Sequence, residues 1–84
     1  MICSIYKGLK KQGSYLYIKK SIEKKDDFSN VPESLLSLMG KLELVMQLEI
    51  NKTTKLVQAH ASDVLAEIEI NGFYLQIPDP DYKF

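Results

Sequence analysis

Between Leu42 and Ile50 the chain alternates without a break. Leu42, Leu44, Met46, Leu48 and Ile50 share one phase, and Glu43, Val45, Gln47 and Glu49 share the other. A period of two over this length fits a strand with one side on a core and fits a helix poorly. In this phase Leu44 and Met46 belong to a single core face with Val45 opposed. If that face is fully buried, Leu44→Ala costs about 2–5 kcal/mol. Such a strand cannot stand alone, so the rest of the chain must supply partners and a cover.

Residues 2–7 and 14–19 read as the two strands of a hairpin. Both are rich in Ile, Leu and Tyr, and a Lys-bearing turn from Gly8 to Gly13 separates them. Alternation places Cys3 and Ile5 on one face with Leu16 and Ile18. That register sends Tyr6, Tyr15 and Tyr17 to the other face. Residues 20–30 form a charged connector in which Phe28 is the anchor. A short helix is expected from Pro32, which suits a first helical position, with Ser29 or Asn30 capping nearby and Gly40 closing it. After a turn at residues 51–54, Lys55 to Ala59 reads as a short returning partner strand. A second helix follows from about Ala61 to Asn71, with His60 or Ser62 as cap and Gly72 as stop. Phe73 to Ile77 is the last strand.

The expected order is β-β-α-β-β-α-β. It predicts an α+β, two-layer single domain over residues 1–84, a mainly antiparallel sheet with two helices on one face, and a flexible tail at 78–84. With 84 residues, 45% of them hydrophobic and 26% charged, the chain is long enough for one thin core and too apolar for a disordered segment. Its eleven basic residues, all Lys, balance eleven acids, which excludes the footprint of a dedicated nucleic-acid binder. The balance is uneven along the chain: seven Lys and one acid up to Lys25, then four Lys and ten acids. The start at Met1 has no basic segment leading into an apolar one, and no apolar run is long enough to span a bilayer. The expectation is a cytoplasmic protein.

Several stretches resemble the YcgL-like family of small bacterial proteins. They are Tyr15-Leu16-Tyr17-Ile18, Lys24-Lys25-Asp26-Asp27-Phe28, Val31-Pro32-Glu33, Gly40, Leu44-Val45-Met46, and Gly72-Phe73-Tyr74-Leu75-Gln76-Ile77-Pro78. The resemblance runs in order along nearly the whole chain. It implies a single compact α/β domain and brings no catalytic residue or cofactor with it. Against the family pattern, Lys19-Lys20-Ser21-Ile22 looks like an insertion, His60 stands at a usually acidic place, and the proline-rich end thins to Pro78-Asp79-Pro80.

Groups able to do chemistry are few. Cys3 is the one cysteine and His60 the one histidine, so neither a disulfide nor a multi-cysteine metal site can form within the chain. Cys3 reads as a small core residue, His60 as a helix entry, and Asp26-Asp27 as solvated or capping carboxylates. The reading is not an enzyme, with no cofactor, metal or small-molecule ligand implied. Tyr6, Tyr15, Tyr17 and Tyr74, flanked by Lys7 and Lys19, would instead cover the sheet face left open by the helices. Such a face suits a protein partner, as does a bare sheet edge; the alternative is single-stranded RNA stacked on the rings. Without Arg, a protein partner is favoured over nucleic acid, and no membrane partner is expected.

Overall fold

The hairpin strands are rich in Ile, Leu and Tyr, which suit a sheet, whereas β3 rests on its two-residue alternation. The computed structural model describes residues 1–20, 26, 28–56 and 59–77. Strand β1 (Ile2–Gly8) turns through residues 9–14 into β2 (Tyr15–Lys19). Helix α1 (Glu33–Met39) leads to β3 (Leu42–Glu49), then to the two-residue strands β4 (Lys55–Leu56) and β5 (Ala59–His60). Helix α2 (Ala61–Asn71) and β6 (Tyr74–Gln76) complete the order. Both helices stop at a glycine with positive φ, 72° at Gly40 and 86° at Gly72, and each glycine N–H returns to a carbonyl of the last turn. Pro32 itself occupies the N-cap position of α1, so the helix begins at Glu33, one residue later than expected.

The main sheet has the order β3-β1-β2-β6, with every neighbouring pair antiparallel. This is the α+β class and antiparallel sheet that the patterning predicts. Three details differ. The segment after residue 54 does not return along β3; β4 pairs with β5 in a separate small sheet, and β3 takes β1 as its partner. The register of the hairpin is one residue away from the expected one: Ile5 lies opposite Tyr17 and Tyr6 opposite Leu16. A one-residue change moves every side chain of a strand to the other face. Here it puts Cys3 and Ile5 with Tyr15 and Tyr17, and Tyr6 with Leu16 and Ile18.

The third difference follows from the second. The helices lie on opposite faces of the sheet, not on one. Cys3, Ile5 and Tyr17 pack with Ala61, Val64 and Ile68 of α2, with Tyr15, Leu48 and Tyr74 at the margin. Leu16, Ile18 and Val31 pack with Met39 of α1, with Tyr6, Phe28, Leu35, Leu36, Leu42 and Leu75 around them. Consecutive residues of β2 therefore feed two different cores. A strand buried on both sides is apolar throughout, and Tyr15-Leu16-Tyr17-Ile18 is such a run.

Strand β3 departs from its own pattern. Its pairing with β1 runs Tyr6 to Leu44, then Ile5 to Met46, skipping Val45. That β-bulge turns Leu42 and Leu44 toward the α1 face while Met46 and Leu48 keep to the α2 face. Leu44 is 48% exposed, Val45 43% and Met46 49%, so the single core face expected for Leu44 and Met46 does not exist.

The tail at 78–84 lies outside the described residues, as do Ser21 and Ile22 of the insertion read from the sequence. Among the described residues no helix is long and apolar enough to cross a membrane.

Candidate functional site: the β3 edge and the tyrosines

The six residues singled out as a partner surface do not form one open face. Lys7, Tyr15, Tyr17 and Lys19 do share a side of the hairpin, and cross-strand pairing of Tyr17 with Tyr74 adds a third ring to that side. Tyr6 lies on the opposite side. The shared side is the one α2 covers. Tyr17 is 6% exposed, its ring sits edge-to-face against Tyr74 at 5.6 Å and 82°, and its hydroxyl donates to Gln76 Oε1 at 3.1 Å. That bond accounts for a Tyr and a Gln in a core, since a buried hydroxyl or amide needs a partner. Burial raises the Tyr17 pKa, and the hydroxyls of Tyr74 and Tyr15 and the Cys3 thiol add to the rise.

Tyr6 anchors the connector. Its hydroxyl donates to Asp26 Oδ2 at 2.5 Å, and its ring stands edge-to-face on Phe28 at 5.0 Å. Phe28 thus fills the anchoring role expected of it. Asp26 binds this tyrosine; Asp27 lies outside the described residues. Burial, then the hydrogen bond to Asp26 and its charge, push the Tyr6 pKa up to about 12. A tyrosine whose folded pKa lies above its unfolded value of about 10 stabilises the fold fully below pH ~10, and that stabilisation is lost as pH rises through ~12. Alkaline titration followed by tyrosinate absorbance should show unfolding in that window. Tyr6→Phe should flatten the dependence there and lower stability at neutral pH. A wild-type protein with unchanged stability across the window would contradict the Tyr6–Asp26 bond.

Lys7 pairs with Glu43 across β1 and β3 at 3.4 Å, with both side chains about half exposed, and Lys19 is exposed at the end of β2. Cys3 is fully buried, and burial raises its thiol pKa. That environment favours the protonated, unreactive form, in keeping with a core role. His60 stands at the N-cap position of α2 with extended backbone, and its ring makes no capping hydrogen bond. Among the described residues no group of three His, Cys, Asp or Glu side chains could hold a metal ion.

The sequence reading allowed for a sheet edge without saying which; the apolar one is the outer edge of β3. Among the described residues the strand has a sheet partner on one side only. In its middle Leu44, Val45 and Met46 are three consecutive large apolar residues, each more than two-fifths exposed. Alternation points every second residue inward, so this exposure has no sequence signal; the bulge creates it. The bulge and the flanking Glu43 and Glu49 also keep the edge from indiscriminate strand pairing.

A sheet built from a hairpin and two outer strands, with one helix on each face and one bulged apolar edge, defines a small α+β domain. The chain belongs to the YcgL domain family, whose profile matches residues 3–79. It is 45% identical over 80 residues to a YcgL domain-containing protein of Psychromonas ingrahamii, covering 95% of this chain and 78% of that one. It is 42% identical over 80 residues to a YcgL domain-containing protein of Shewanella denitrificans, covering 95% and 80%. A protein of Nitrosococcus oceani named putative HAD-like hydrolase is 41% identical over 81 residues, covering 96% of this chain and 21% of that much longer one.

Proposed function

We propose that the chain is a non-catalytic interaction module that docks another protein along the β3 edge. The observation that carries this reading is the run Leu44-Val45-Met46, exposed in sequence on an outer strand. Scattered apolar residues on a surface need no explanation, but three in a row on an outer strand form a ready docking element. A partner strand would gain backbone hydrogen bonds there, and its side chains would cover Leu44 on one face and Met46 on the other. The Nitrosococcus oceani relative lends support, because a domain that also occurs joined to a long further polypeptide suits a unit that works beside another.

RNA stacking on the tyrosines gains no support, since Tyr17 and Tyr74 pack edge-to-face against each other and Tyr6 packs edge-to-face against Phe28. Affinity capture from the native host should recover a protein with the wild-type chain and lose it with Val45→Lys. Val45 is 43% exposed, so the substitution leaves the fold intact while placing a charge on the edge. Identical partners for the two proteins would overturn the reading.

A further inference from the structure

At the other margin of the sheet, β6 is also an outer strand, and helix α2 runs beside it. Between them lies an open groove of about 480 Å³. Asp63, Glu67 and Asn71 of α2 form one wall, and Phe73, Tyr74 and Leu75 form the other. Helix α2 carries three acidic residues and no basic one. Glu67 accepts a hydrogen bond from Asn71 Nδ2, which holds its carboxylate at the groove. The negative field reaches the opposite wall: burial first, then the charges of Asp63 and Glu67, raise the pKa of Tyr74. No ion pair neutralises Asp63 or Glu67 among the described residues.

We propose that this groove takes an extended cationic segment of a partner protein, added as a further strand to β6, with Lys or Arg alternating with apolar residues. The alternation follows from the sheet. Tyr74 lies on the α2 face of β6 and Leu75 on the other. Side chains of an added strand alternate in the same way. Those on the α2 face meet the carboxylates of Asp63 and Glu67, and those on the other face meet Leu75 and Phe73. Main-chain hydrogen bonds supply affinity independent of sequence, while the acidic wall and the apolar floor select the segment. The site is separate from the β3 edge, and its test is independent of that reading.

The probe is a short capped peptide alternating Val and Lys, titrated into the isotope-labelled chain at low salt and followed by amide shifts. The expected result is saturable shifts centred on Tyr74–Gln76 and on the Asp63–Asn71 side of α2. Affinity should fall at least about tenfold in Asp63→Asn/Glu67→Gln, and should be absent for the matching peptide of Val and Glu. Both substituted positions are exposed, and the amide spectrum of each variant checks that it stays folded. No saturable shift, shifts that map elsewhere, equal affinity for the double variant, or occupation of the groove by a second copy of the chain would each overturn the proposal.

Discussion

Leu16→Ala should destabilise the fold by about 2–5 kcal/mol, while Leu44→Ala should cost less than about 1 kcal/mol. Leu16 is fully buried at the centre of the α1 core, against Ile18, Val31 and Met39. Truncating it removes apolar surface from a site walled by two neighbouring strands and a helix, and little can collapse into the gap. Leu44 sits on an outer strand just before the bulge and is 48% exposed, so its truncation leaves no enclosed cavity. For a domain of this size the first loss is a large share of the total stability, and the second is hard to see in a melt. Denaturant unfolding of the two variants beside wild type reads both. Equal, large losses would restore the single core face that the alternation of β3 suggests and would remove the bulge.

Gly8→Ala is expected to cost about 1–3 kcal/mol, although adding a methyl to a strand ordinarily helps or is neutral. A Cβ on Gly8 would stand 2.6 Å from Ser14 Oγ, 2.7 Å from Met39 Cβ and 2.8 Å from the Met39 carbonyl oxygen. None of these can yield easily. The Ser14 hydroxyl donates to the Lys11 carbonyl at 2.6 Å, and the Met39 carbonyl accepts the Lys10 N–H at 2.9 Å. The end of α1 therefore closes directly on the hairpin backbone, and the methyl must push the two apart. Thermal unfolding measures the effect, and an unchanged or raised midpoint would show that this close approach is absent.

The parts of the fold legible in the sequence are those set by local chemistry. The limits of α2, from Ala61 to the left-handed Gly72, follow from a short apolar stripe and a stop residue. The strand nature of β3 follows from its alternation. What escaped is the side each strand presents. Tyr6, Tyr15 and Tyr17 read as an outward set because the assumed register put Cys3 and Ile5 with Leu16 and Ile18, yet Tyr17 is buried and its hydroxyl bonds Gln76. The near-continuous apolar run of β2 was the available signal, since a strand covered on both faces has no polar phase. The bulge left no trace: Leu42, Leu44, Met46 and Leu48 keep perfect alternation across Val45, and only the pairing with β1 shows the skipped residue. The candidate site inherits both errors. Its tyrosines are largely committed to packing, and its sheet edge is exposed where the pattern predicts burial.

Everything proposed for the β3 edge depends on the tyrosines being used in the cores. The most direct test is the set of proton–proton contacts of the Tyr17 ring in solution. The account predicts contacts from Tyr17 to Val64 or Ile68 of α2 and to Tyr74, with Leu16 touching Met39 of α1 instead. A Tyr17 ring open to solvent, with Leu16 in contact with both helices, would place the tyrosines on a free face and contradict it.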